Sequence, residues 1–97
     1  MNKIALSFSK SLSNLAGYEF GLSTFKEQVK GNIDLRKEFF IEFPPEIKGV
    51  ASSFVQGFFE EIVEEIGLLA TEQRAKIISL NSNIQENLLR KLQWGEY

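Results

Sequence analysis

Two residue types are missing from this chain, and each absence removes a class of chemistry. The 97 residues include no cysteine, which excludes disulfides, thiol nucleophiles and metal sites built on thiolates. They include no histidine either, so the commonest general base and the commonest transition-metal ligand are lacking. We therefore predict a protein that is not an enzyme and that has no metal site and no cofactor.

Long apolar runs and an excess of positive charge are also absent. No segment approaches the roughly 18–20 apolar residues that span a bilayer, and the polar residues after Phe8 leave no apolar core for a signal peptide. Eleven basic residues stand against thirteen acidic ones, without the basic footprint of a nucleic-acid-binding protein. We expect a cytoplasmic protein that binds neither a membrane nor nucleic acid.

The composition that is present is typical of a globular domain. Hydrophobic residues make up 43% of the chain and charged residues 25%, and both values are usual for globular proteins. A length of 97 residues suits one domain and not two. We predict a single domain over residues 1–97.

Hydrophobic periodicity predicts three strands that alternate with three helices. Apolar alternation indicates strands at residues 3–8, 37–43 and 75–80, and Pro44 and Pro45 end the second of them. Helical spacing indicates helices at residues 19–30, 54–66 and 84–93, with residues 68–73 as a connection in which a helical turn is the alternative. Because helices separate the strands, we predict an α/β fold, a small β-α-β-α-β-α sandwich with a mostly parallel sheet.

The predicted helix at residues 54–66 has the clearest pattern in the chain. Its apolar residues form one continuous stripe: Phe54, Val55, Phe58, Phe59, Ile62, Val63 and Ile66. Ser53 and Gln56 fit a capping box at its start, and Gly67 fits its end. Its glutamates, Glu60, Glu61, Glu64 and Glu65, are interpreted as a solvated face, because a carboxylate metal site on helices also uses histidine. Binding of a basic partner is the alternative.

The second half of the chain resembles a known family. Residues 39–43 (FFIEF), 52–54 (SSF) and 77–81 (IISLN) are similar to segments of the STAS-like domains of unknown function, which are related to bacterial anti-sigma-factor antagonists. The similarity covers residues 39–92. The chain departs from the antagonists at Ala51, where they carry an aspartate, and from the family at residues 55–57 (VQG), where the helix usually continues with acidic residues. The resemblance implies a STAS-like fold and a partner-switching role.

The resemblance also implies a site for that role. Ser52 matches the serine that takes a regulatory phosphate in the antagonists, and a kinase-like ATPase is the implied partner. Phosphate is favoured at a helix N-terminus, while its charge of about −1.5 to −2 would block a partner that docks there. A simple loop residue is the alternative for Ser52, and an N-cap is the first interpretation of Ser53.

Three further residues complete the predicted partner surface. Lys48 lies in the connection before the serines, and Phe54 lies at the predicted helix start. Glu42 stands in an apolar strand, where an unpaired carboxylate is costly. We expect Glu42 to brace the backbone of residues 48–53 from the strand's C-terminal end, with a direct functional role as the alternative.

These patterns predict a non-enzymatic regulatory protein-binding module of the partner-switching type, controlled by phosphorylation at Ser52. The alternative is a stand-alone phage or mobile-element inhibitor that docks on a host protein. A small carboxylate/serine enzyme is the least favoured option, because Lys48 is the nearest activating group and no triad spacing supports it. The sequence is compatible both with a monomer and with a homo-oligomer. Trp94 and Tyr97 are interpreted either as packing on the fold or as an exposed contact patch.

Overall fold

The strands of the protein form two parallel sheets. In the computed structural model, which describes residues 2–93, strands β1 (Lys3–Ala5), β3 (Phe39–Glu42) and β5 (Ala75–Ile78) form one sheet in that order. Strands β2 (Asn14–Leu15) and β4 (Gly49–Val50) form the second sheet. Every pairing in both sheets is parallel, as predicted for strands that are separated by helices.

Helices connect these strands. Within residues 2–93 the α-helices are α1 (Tyr18–Thr24), α2 (Ser52–Ile66), α3 (Leu68–Arg74) and α4 (Ser82–Gln93), and a π-helical segment (Phe25–Val29) directly follows α1. Helix α2 ends at Gly67, whose φ of 87° favours glycine. No helix in this part of the chain combines the length and the apolar character that crossing a membrane requires.

One face of the three-stranded sheet packs against the helices and forms one side of the hydrophobic core. Ile4, Ile41 and Ile77 are cross-strand neighbours on this face, and Ile41 and Ile77 are buried. The apolar stripe of α2 and the buried side of α4 belong to the same cluster, contributing Phe54, Val55, Phe58, Phe59, Ile62, Ile84, Leu88 and Leu92. The predicted stripe is therefore confirmed as the main helical contribution to the core.

Helices α1 and α2 approach each other through two glycines. A Cβ atom at Gly57 would overlap the carbonyl oxygen of Tyr18, and a Cβ atom at Gly21 would overlap the carbonyl oxygen of Phe54. The backbones are therefore closer than any side chain at these positions would permit. Gly57 and Gly21 therefore have a packing role at the contact between α1 and α2.

The sequence predictions for regular structure hold in outline and fail in detail. The strands predicted at residues 3–8, 37–43 and 75–80 are present but shorter, and the predicted connection at residues 68–73 is helix α3. Strands β2 and β4 were not predicted, because two residues are too few to show alternation. Trp94 and Tyr97, for which packing or exposure was left open, lie outside the described residues.

Candidate functional site

The segment that leads into α2 is fixed on one side by the small β2–β4 sheet. The Lys48 N–H donates a hydrogen bond of 2.7 Å to the Ser13 carbonyl, and the Ala51 N–H donates one of 2.8 Å to the Leu15 carbonyl. Between these bonds, Asn14 and Leu15 pair in register with Gly49 and Val50. The backbone immediately before α2 is therefore held along its length.

Two side chains from the second half of the protein hold the same segment from another side. Asn81, just after β5, donates from Nδ2 to the Lys48 carbonyl at 3.0 Å. The ammonium group of Lys91 in α4 donates to the Val50 carbonyl. Asn81 is itself positioned because its backbone N–H donates to the Ser79 hydroxyl at 3.0 Å. Bracing this loop is therefore the structural role of the Asn81 side chain.

The two serines at the start of α2 have different environments. The helix begins at Ser52, and Ala51 occupies the N-cap position without a side-chain cap. The prediction that Ser53 is the N-cap of a capping box is therefore wrong. Instead, the Ser53 hydroxyl accepts a hydrogen bond of 2.9 Å from the Gly17 N–H, which ties the start of α2 to the residue before α1.

The Ser52 hydroxyl, unlike that of Ser53, has no hydrogen-bond partner within residues 2–93. The Ser52 side chain is half-buried. Ser52 occupies the first residue of a 15-residue helix, where backbone N–H groups lack intrahelical acceptors and the helix dipole is positive. The structure thus places a solvent-accessible hydroxyl at a positively polarised end of a firmly held segment.

Glu42 lies elsewhere. Its carboxylate forms an ion pair of 3.0 Å with Lys3 on the neighbouring strand, and its side chain is 39% exposed. The prediction that Glu42 braces residues 48–53 is wrong, because the alternation of β3 turns its side chain to the side of the sheet away from the core. Asn81 and Lys91 provide the bracing.

The aromatic side of the site is formed by Phe20 more than by Phe54. Phe54 is buried, with its ring 5.4 Å from that of Phe20 and 6.4 Å from that of Phe8. Phe20 is 37% exposed and is therefore the member of this cluster that a partner can touch. Sequence reasoning missed Phe20, since its contact with Phe54 joins two helices. Lys48 is exposed, as a partner-contacting residue needs to be.

The glutamates of α2 are partly used in intramolecular contacts. Glu60 accepts a hydrogen bond from the Tyr18 hydroxyl, and Glu61 pairs with Lys30 at 2.9 Å and with Lys26 at 3.9 Å. Glu64 and Glu65 are exposed. Among residues 2–93 no group of three or more acidic side chains is arranged to hold a metal ion.

A groove of about 570 Å³ lies near the opposite end of α2 from Ser52. Phe25, Val29 and Ile66 are among its apolar residues, and Lys30, Asp34, Arg36, Glu61 and Glu65 are its charged ones. The hydrogen bond from Arg36 holds the pKa of the Asp34 carboxyl below its ordinary value. Helix α2 is about 22 Å long at 1.5 Å per residue, so this groove is separate from the serine site.

Comparisons with known proteins identify no relative of this chain. No family model, no curated protein and no solved structure matches this chain. The similarity of residues 39–92 to the STAS-like domains therefore rests on the sequence segments themselves. The geometry at the start of α2 is the structural observation that bears on function.

Proposed function

We propose that the protein is a non-enzymatic regulatory protein-binding module of the partner-switching type. Its partner surface would be the start of α2 with the neighbouring Lys48 and Phe20, and phosphorylation of Ser52 would control binding. The main supporting observation is the contrast between the serines: Ser53 is committed to Gly17, whereas Ser52 has a free hydroxyl within the described residues.

The environment of Ser52 suits a switch that changes binding without unfolding the domain. A phosphate at the first residue of α2 would face free N–H groups and the positive end of the helix dipole, so its charge is tolerated there. Because the preceding backbone is fixed by Asn81 and Lys91, the added charge would change the surface and not the fold. A docked partner would meet an additional charge of about −1.5 to −2.

The resemblance to the STAS-like domains supports the class of partner. In that interpretation the chain has a STAS-like fold, and the partner is a kinase-like ATPase that both binds and phosphorylates it. The second candidate is a phage or mobile-element inhibitor that docks through the same surface without phosphorylation. The two differ in one observable: only the first requires transfer of phosphate from ATP to Ser52.

The switch predicts different effects for substitutions at the two serines. Once a partner has been isolated by affinity capture and identified, we expect Ser52→Glu to weaken its binding at least tenfold, because the carboxylate is desolvated and repelled in the interface. Ser52→Ala should retain affinity within about twofold, since no hydrogen bond is lost. Calorimetric titration of the purified pair measures both values.

The matched control is Gln73→Glu. Gln73 is exposed on α3, the helix that follows the opposite end of α2 from Ser52, so this substitution adds the same charge away from the site. It should leave affinity unchanged. Equal affinities for the wild type and Ser52→Glu would reject the switch, and a partner that binds but never phosphorylates Ser52 would favour the docking inhibitor.

Stability measurements separate the role of Ser53 from that of Ser52. Ser53→Ala leaves the Gly17 N–H without its acceptor, so we expect a loss of about 1 kcal/mol in the free energy of unfolding. Ser52→Ala and Ser52→Glu should each stay within about 0.5 kcal/mol of the wild type. Chemical denaturation of the three variants tests this order, and a larger loss at Ser52 than at Ser53 would contradict it.

A further inference from the structure

The three-stranded sheet leaves one face uncovered within residues 2–93. Lys3, Phe40 and Lys76 are cross-strand neighbours on this face. Both lysines are exposed, and Phe40 is half-buried. Parallel sheets are almost always covered on both faces, yet here the helices pack on the opposite face only. We name this surface the open face; its main residues are Lys3, Glu38, Phe40, Glu42, Lys76 and Ile78.

The charges of the open face are arranged symmetrically around Phe40. Lys3 and Lys76 flank Phe40 on the two neighbouring strands. Glu38 and Glu42 lie two residues before and after Phe40, and side chains two residues apart share a face of a strand. The ion pairs Lys3–Glu42 (3.0 Å) and Lys76–Glu38 (3.7 Å) lie on opposite sides of the ring. The four charged residues therefore form a cross centred on Phe40. Lys3 and Lys76 form the lysine arm, which runs across the strands, and Glu38 and Glu42 form the glutamate arm, which runs along β3.

We propose that the open face is covered by the open face of a second copy of this chain, with the strands of the two sheets crossing at about 90°. At this angle the lysine arm of each copy lies over the glutamate arm of the other. Lys76 meets Glu42 of the partner subunit, and Lys3 meets Glu38 of the partner subunit. The rings of Phe40 meet at the centre, and the two-fold axis runs along the diagonal from Phe40 to Ile78.

Charge complementarity selects this arrangement over aligned stacking. If the strands of two such faces ran parallel or antiparallel to each other, lysine would lie over lysine. The orthogonal arrangement replaces each of these like-charge contacts with an opposite-charge contact. On each side of Phe40 the arms differ in length by only about 2 Å, because neighbouring strands are about 4.8 Å apart and alternate residues on one strand about 6.6 Å apart. Lysine and glutamate side chains are flexible enough to span the difference.

The size of the open face limits the strength of the dimer. Three strands of up to four residues give a patch of about 15 by 13 Å, or about 200 Å² per subunit, which is well below the roughly 800 Å² per partner of a standard specific interface. We therefore expect reversible association that depends on protein concentration. It should weaken as salt is added, since exposed charge pairs are screened. This association does not depend on the function proposed for Ser52, and its test needs no other protein.

Sedimentation equilibrium of the full chain tests the proposal with two variants, Lys76→Glu and Glu42→Lys, that reverse the two charges of one predicted contact. The wild type should show an average mass that rises with concentration from 11.1 kDa towards twice that value. Lys76→Glu and Glu42→Lys should each remain monomeric, because their homodimers would place glutamate against glutamate or lysine against lysine. An equimolar mixture of the two variants should dimerise again, since both crossed contacts then join opposite charges.

Arg90→Glu and Glu64→Lys are the matched controls. Both residues are exposed on the helical layer, and the two substitutions change the net charge by the same amounts as Lys76→Glu and Glu42→Lys. Each control should dimerise like the wild type, alone and in mixture. Circular dichroism confirms folding of every variant, which is expected because the side chains of Lys76 and Glu42 are 45% and 39% exposed.

Three results would overturn the proposal. The first is a wild type that stays monomeric at every concentration, which would leave the open face to a different partner. The second is unchanged dimerisation of Lys76→Glu or Glu42→Lys, which would place a dimer interface elsewhere. The third is a mixture of the two folded variants that fails to associate, because the crossed contacts would then be absent.

Discussion

Replacement of Phe58 with alanine is expected to lower the free energy of unfolding by about 3–5 kcal/mol. Phe58 is 1% exposed, and its ring lies 5.0 Å from that of Phe59, 6.0 Å from that of Phe54 and 6.1 Å from that of Phe25. The substitution removes apolar area and leaves a cavity that these rings can fill only in part. Native proteins have a total stability of roughly 5–15 kcal/mol, so the substitution should remove a large share of it.

Thermal and urea denaturation measure this effect. A loss of about 1 kcal/mol lowers the melting temperature by about 4–8 °C in a domain of this length, so we expect a decrease well above 10 °C. Leu69→Ala is the matched control, because Leu69 is 68% exposed on α3 and its truncation should change stability little. A Phe58→Ala variant that melts within a few degrees of the wild type would contradict the position of Phe58 at the centre of the core.

Replacement of Gly57 with alanine is expected to destabilise the protein, against the usual effect of this substitution in a helix. Alanine is favoured over glycine inside helices by about 1 kcal/mol. At Gly57, however, the added Cβ would overlap the carbonyl of Tyr18 and approach the Leu22 nitrogen to 3.0 Å. These are backbone atoms of α1, so α1 has to move away from α2. We expect a net loss of about 1–3 kcal/mol, as for other overpacked sites.

Gly49→Ala is a useful comparison. A Cβ atom at Gly49 would also be crowded, but the atoms it meets belong to the exposed side chain of Asn14, which can rotate away. The loss of stability at Gly49 should therefore be smaller than at Gly57. Gly21→Ala should resemble Gly57→Ala, because its Cβ meets the backbone of Phe54 and Phe58. Stabilisation by Gly57→Ala would contradict the close approach of α1 and α2.

The candidate site was only partly foreseeable. Ser52, Ser53 and Lys48 were located from sequence segments that resemble a family, and the structure does bring them to one place. Their contacts were not foreseeable, because the partner of Ser53 is 36 residues away and that of Lys48 is 33 residues away. The prediction for Glu42 failed for a related reason: strand alternation gives two faces, and only the packed helices decide which face is covered.

The sequence by itself determined the elements whose signals are local. The apolar stripe of α2, its end at Gly67 and the parallel strands follow from hydrophobic spacing and from the order of elements along the chain. Tertiary structure decided which segments meet. It joined Gly17 to Ser53, set α1 against Gly57 and left Lys3, Phe40 and Lys76 on an open face. These contacts depend on how distant segments pack, and periodicity within one element carries no information about its distant neighbours.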